Sequence, residues 1–144
     1  MRNLLNKKGF SLVELMIVVV IMGILVAVAI PLYDAITENT QAKTCGSNQR
    51  LIRGAFSNWV LSDNGNNTAD TLFGGEDSFN SRTDNPEQVF PEAFRNQFDE
   101  GIIPGCNVEG NYYVVEKVDK LAIEVTCYNA DGTECTKHNE AANK

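Results

Sequence analysis

Six side chains stand out by type and setting: Glu14, the cysteines Cys45, Cys106, Cys127 and Cys135, and His138. Glu14 is the one charge between Phe10 and Ile30. A carboxylate in so apolar a span is costly and marks a functional position. Two readings are open. Either it lies near a membrane interface and snorkels, or it pairs with a cation inside an assembly, where an unpaired charge costs several kcal/mol. An even cysteine count in a small exported domain implies two disulfides, with three possible connectivities. Four buried thiols are the alternative. A structural zinc site is not expected, because there is no Cys-x2-Cys pair and the single histidine, His138, lies in a polar tail. There His138 reads as a solvated residue rather than a base. The sequence holds no Ser-His-Asp set, no P-loop and no GxGxxG, so no catalytic residue and no cofactor is expected.

These residues need elements to position them. Phe10 to Ile30 is 21 residues. At about 1.5 Å per residue this helix runs roughly 30 Å, the thickness of a hydrocarbon core. Arg2, Lys7 and Lys8 precede it and would hold the N-terminus in the cytoplasm, with the rest of the chain outside. That orientation suits the cysteines. Residues 1–9 lack the apolar core of an ordinary secretory signal. Past Pro31 the helix is expected to continue to about Ser62, some 80 Å in all. Cys45, Ile52, Ala55, Phe56, Trp59 and Val60 share one face of its second half. Gly23 and Pro31 are the expected weak points, Pro31 because it lacks an N–H and collides with the preceding turn. Asp63-Asn64-Gly65 ends the helix.

The remainder reads as a small head. Asn64 to Asn85 is expected to be a surface loop, rich in Gly, Asn, Asp, Ser and Thr. Asn85-Pro86 and Phe90-Pro91 open short helices, with Phe94 and Phe98 on one face and Gly101 as a cap. Residues 111–116 and 121–126 form a hairpin, and Asp131-Gly132 suits a type I′ turn. Thr136 to Lys144 is a polar, frayed tail. The net charge is −7, and all 19 acidic residues follow Gly9, where only nine basic ones remain. From Phe10 onward the charge is thus −10, which argues against non-specific nucleic-acid binding by the head.

The octet Lys7-Lys8-Gly9-Phe10-Ser11-Leu12-Val13-Glu14 resembles the class III signal peptide of type IV pilins and pseudopilins: a basic pair, a Gly, an aromatic, then an apolar run whose fifth residue from Phe10 is Glu. Gly23 and Pro31 also fall where this family places a Gly and a Pro. The resemblance implies cleavage between Gly9 and Phe10 by a prepilin peptidase, N-methylation of Phe10, and extraction of the subunit from the membrane into a helical filament. The cation for Glu14 would then be the amine of Phe10, on the same or a neighbouring subunit. The cysteine order resembles Gram-positive, Firmicutes-type pilins and competence pilins. Cys135 departs from that pattern and leaves the pairing open. Chain order and the Asp-Gly turn favour Cys127–Cys135, leaving Cys45–Cys106.

The expected fold is α+β, a long N-terminal helix with a transmembrane first half packed on a small antiparallel sheet. Residues 1–9 form the leader, 10–35 the membrane and filament-core part, and 36–144 the head. The expected function is that of a type IV pilus subunit supporting adhesion, motility or aggregation. The partners implied are copies of itself, the membrane before assembly, the prepilin peptidase, a platform protein and an assembly ATPase. The rivals are a pseudopilin or competence pilin and, more remotely, a membrane-anchored binding protein that does not polymerise.

Overall fold

A computed structural model describes residues 9–63 and 66–143. The leader residues before Gly9, and Asn64 and Gly65 of the expected helix stop, lie outside that description. The chain divides into two compact units, Met1–Glu38 and Asn39–Lys144. One helix, α1, runs Leu12–Ser62, with Pro31 inside it. Pro31 has no N–H to give the Ala27 carbonyl, yet the helical run passes it unbroken.

In the first unit every large apolar side chain from Leu12 to Tyr33 is exposed. The apolar part of α1 has a mean hydropathy of 3.1, enough in length and composition to cross a membrane.

The second unit holds the core. Its sheet has three antiparallel strands in the order β1 (Ser78–Asn80), β2 (Tyr112–Asp119), β3 (Ala122–Tyr128). Phe79 opposes Val115, Val115 opposes Val125, and Tyr113 opposes Cys127. Side chains alternate between the faces of a strand, and Tyr113, Val115, Ile123, Val125 and Cys127 all turn inward. They meet Cys45, Ile52, Ala55, Phe56 and Trp59 of α1, which fall on one face at helical spacing. The long helix is thus packed on the sheet through its second half, as the periodicity required.

Aromatic rings fill the rest. Phe90 packs tilted against Phe79 at 4.6 Å and Phe94 at 5.4 Å, and Phe94 meets Trp59 edge-on at 5.9 Å. Two short helices bring these rings in, α3 (Pro86–Val89) and α4 (Glu92–Arg95). Pro86 is at the first helical position, while Pro91 is the N-cap of α4. Gly101, at φ +72°, ends a separate 3-10 turn (Asp99–Gly101) rather than α4.

Three expectations are corrected. Residues 64–85 are not simply a surface loop. They contain α2 (Ala69–Leu72), held by a Thr68–Thr71 capping box, and the edge strand β1, and they bury Ala69, Leu72, Phe73 and Phe79. Four apolar side chains spaced through polar residues were enough to pull the segment onto the core. The turn after β3 is not type I′, since Asp131 keeps a negative φ and only Gly132 is left-handed. The Gly132 N–H closes on the Asn129 carbonyl at 2.9 Å, and Asp131 Oδ1 accepts from both the N–H and the hydroxyl of Thr133. The polar tail is a helix, α5 (Thr136–Ala142), with His138 and Ala142 buried.

Candidate functional site

The N-terminal unit presents its residues in sequence order. Gly9 and Phe10 precede the helix and are exposed. The helix begins two residues later than expected, because Ser11 caps it. The Ser11 Oγ accepts the Val13 N–H at 3.3 Å, and the Glu14 carboxylate accepts the Ser11 N–H at 3.1 Å. The Glu14 carboxylate closes back on the N-cap as in a Ser-x-x-Glu capping box, while the Ser11 hydroxyl takes the N–H of the second helical residue rather than the third. Its signal was legible, three residues apart and directly before the apolar run, and the sequence reading missed it. Glu14 therefore has a local acceptor role as well as its isolation among apolar side chains. Gly23 lies in the same exposed span, and a Cβ there would meet nothing within 4 Å.

In the second unit the cysteines converge. Cys45 comes from α1, Cys106 from the segment leading to β2, Cys127 from the last turn of β3 and His138 from α5. Cys45 and Cys127 are fully buried, His138 is buried, and Cys106 is half-buried. The Cys106 and Cys127 sulfurs are 3.7 Å apart, and His138 Nδ1 stands 3.5 Å from Cys127 Sγ and 3.9 Å from Cys106 Sγ. The four ligand atoms of Cys45, Cys106, Cys127 and His138 all lie within 4.8 Å of one another. No disulfide bond links the four cysteines in this structure. Cys135 is not one of those four ligands; its thiol lies beside Cys127, gives its S–H to Asn129 Oδ1 at 2.9 Å and accepts from Asn111 Nδ2 at 3.3 Å.

The surroundings hold this cluster in place. Tyr113 donates its hydroxyl to Cys45 Sγ at 3.1 Å, and Gln49 Nε2 approaches the same sulfur at 3.7 Å. Asn139 Oδ1 accepts the Cys127 N–H at 2.9 Å and Gln49 Nε2 at 3.1 Å. Asn48 Nδ2 holds the Gly105 carbonyl at 2.9 Å and so fixes the backbone beside Cys106. The Cys135 N–H to Cys127 carbonyl bond, at 2.9 Å, starts the turn that carries His138 inward. The hydrogen bond from Cys127, helped by Tyr113, holds the Cys45 thiol well below its ordinary range despite burial, whereas burial pushes Cys106 up. Sequence reasoning missed His138, Tyr113, Gln49 and Asn139 because the groups brought together come from four elements spread over most of the head.

Residues 4–30 match the family described as the prokaryotic N-terminal methylation motif. The chain's relatives by sequence include the type IV narrow pilus major component PilA5 of Thermus thermophilus, 35% identical over 69 residues, which are 48% of this chain and 60% of that protein. A fimbrial protein of Pseudomonas aeruginosa is 46% identical over 55 residues, 38% of this chain and 36% of that protein. The type IV major fimbrial protein FimA of Dichelobacter nodosus is also 46% identical over 55 residues, 38% of this chain and 35% of that protein. The matches thus span 60% of the first relative and about a third of the others. No solved structure matches. None of these findings supports the likeness to Gram-positive pilins drawn from cysteine order. The methylation motif covers Gly9, Phe10, Glu14 and Gly23 and stops one residue before Pro31.

Proposed function

We propose that the chain is the precursor of a structural, non-enzymatic subunit of a type IV pilus. The observation that carries this reading is the register of Lys7-Lys8-Gly9-Phe10 and Glu14 within a segment matching the methylation motif over residues 4–30. In this reading a prepilin peptidase cuts between Gly9 and Phe10, and the new amine of Phe10 is methylated. The precursor sits in the cytoplasmic membrane with Arg2, Lys7 and Lys8 inside and the head outside. The exposed apolar first part of α1 meets lipid and then the same helix of neighbouring subunits. Assembly by a platform protein and an ATPase transfers the helix from one setting to the other, and the product is an extracellular homopolymer. Glu14 pairs there with the Phe10 amine. No observation favours the pseudopilin or competence-pilus reading, or that of an anchored binding protein.

The test is to shear surface filaments from cells, sequence their N-termini, and label intact cells with antibody to the head under electron microscopy. The expected result is long labelled fibres whose subunits begin at N-methylated Phe10. A Met1 start, or label dispersed over the membrane, would overturn the reading.

A further inference from the structure

We propose that Cys45, Cys106, Cys127 and His138 form a tetrahedral structural zinc(II) site in the head. With Zn–S about 2.3 Å and Zn–N about 2.0 Å, the edges of a tetrahedron come to about 3.8 Å between sulfurs and about 3.5 Å between sulfur and nitrogen. The separations here are 3.7 Å for Cys106–Cys127, 3.5 Å for Cys127–His138 and 3.9 Å for Cys106–His138. No pair among the four ligand atoms exceeds 4.8 Å. Three sulfurs and one imidazole nitrogen are a known closed donor set for zinc, and soft thiolates exclude magnesium and calcium.

Three further features fit a metal. A disulfide needs two sulfurs and has no use for an imidazole, yet α5 delivers His138 Nδ1 to the sulfurs. Zinc with three thiolates and a neutral imidazole carries one net negative charge, and buried charge needs donors. Tyr113 and Gln49 supply them at Cys45 Sγ, which is the hydrogen-bonded outer shell that metal ligands require. All four positions of the tetrahedron are taken by protein atoms, so the site is structural rather than catalytic.

The site would clip four elements together. Cys45 brings in α1, Cys106 the segment before β2, Cys127 the end of β3, and His138 the C-terminal helix. A small domain gains folding free energy from such a clip. Binding releases a proton from each thiol still protonated, leaves every cysteine at its oxidation level and needs no oxidant. The site stands whether or not the chain polymerises.

The test uses the full chain in detergent, reduced and stripped of metal, then titrated with zinc or with cobalt(II) as a spectroscopic probe. The expected result is one zinc per chain, with intense d–d bands of tetrahedral, thiolate-bound cobalt that zinc abolishes. Cys106→Ser and His138→Gln should each weaken zinc binding by more than about 100-fold, beyond what outer-shell changes cause. Cys135→Ser, outside the four ligands, should keep one zinc per chain and weaken binding by no more than an outer-shell change does. Zinc should raise the melting temperature of the wild type and not of His138→Gln, a readout that needs no cysteine variant to fold. Three results would overturn the site: no stoichiometric zinc, unchanged zinc binding by His138→Gln, or exported chain isolated without reductant that is zinc-free and four hydrogens lighter, the signature of two disulfides.

Discussion

Gly46 of α1 lies directly against the Ala141–Ala142 peptide of α5. A Cβ on Gly46 would stand 2.6 Å from the Ala141 carbonyl carbon and 2.7 Å from the Ala142 nitrogen. Those are backbone atoms and cannot swing aside. The absence of a side chain at Gly46 is what lets α5 close on α1, one residue from Cys45. Arg50 and Arg53, one and two turns on, then reach the carbonyls of Ala141 and Ala142 at 2.7 and 3.2 Å. Cations at the last carbonyls of a helix satisfy acceptors that have no partner within it.

Gly46→Ala should therefore destabilise the head, by about 1–3 kcal/mol, the usual cost of overpacking. Gly54→Ala, on the same helix, is the control. A Cβ at Gly54 meets nothing within 4 Å, so helix propensity alone decides, and the change should stabilise by up to about 1 kcal/mol. Thermal unfolding of the two variants in detergent checks the signs. A kcal/mol moves the midpoint of a domain this size by about 4–8 °C. Equal and opposite shifts are not required, but a stabilising Gly46→Ala would mean that α5 does not pack there.

Phe94 is the hub of the aromatic core, fully buried and in contact with the rings of Trp59, Phe90 and Phe98. Phe94→Ala should cost about 3–5 kcal/mol, a large share of the 5–15 kcal/mol that holds an ordinary domain. Denaturant titration should show the midpoint fall at an unchanged slope. Phe98 packs on the same ring but has more solvent access, so Phe98→Ala should cost less.

The parts legible in the sequence were those with strong periodicity. The apolar run to Ile30 specified a helix, the shared face from Cys45 to Trp59 specified the buried side of its second half, and the strand-like runs 111–116 and 121–126 specified the hairpin. What escaped was short or depended on distant residues. β1 has three residues and exists because Phe79 can sit opposite Val115. α5 is polar in composition, and the turn after β3, Gly46 and the two arginines make it a docked helix. The cysteine–histidine cluster was invisible for the same reason. Its spacing along the chain matches no short metal motif, and convergence is set by the packing of α5. At the N-terminus the reverse holds, since register alone pointed to Gly9, Phe10 and Glu14.

Cleavage at Gly9 is expected to need the absence of a side chain. In the proposed processing a prepilin peptidase approaches the Gly9–Phe10 peptide closely, and β-branched bulk there would obstruct it. Gly9→Val should leave a precursor that stays in the membrane uncut, visible as a band heavier by the leader on immunoblots of membrane fractions. Processing at the wild-type rate would show that the cut lies elsewhere.

The role of Glu14 can be separated into two parts that the capping box makes distinguishable. The carboxylate accepts the Ser11 N–H at 3.1 Å, and a neutral Gln at this position can accept the same bond. Charge pairing with the Phe10 amine, in contrast, needs the negative charge. Among the residues from Phe10 to Gln41 there is no Lys or Arg to take the place of that amine. Glu14→Gln thus keeps the cap and removes the pairing. Ser11→Ala does the opposite, losing about 0.5–2 kcal/mol of helix capping while the charge stays. Neither touches Gly9, so cleavage and membrane insertion should persist in both. If pairing drives docking, Glu14→Gln and Glu14→Val should give few or no filaments. Glu14→Asp should fall between them and wild type because its carboxylate reaches less far, and Ser11→Ala should assemble near normally. The measurement is the yield of sheared filaments against processed, membrane-bound subunit, each allele expressed alone. Wild-type yield from Glu14→Gln together with loss in Ser11→Ala would assign Glu14 to the helix cap and remove charge pairing from the assembly mechanism.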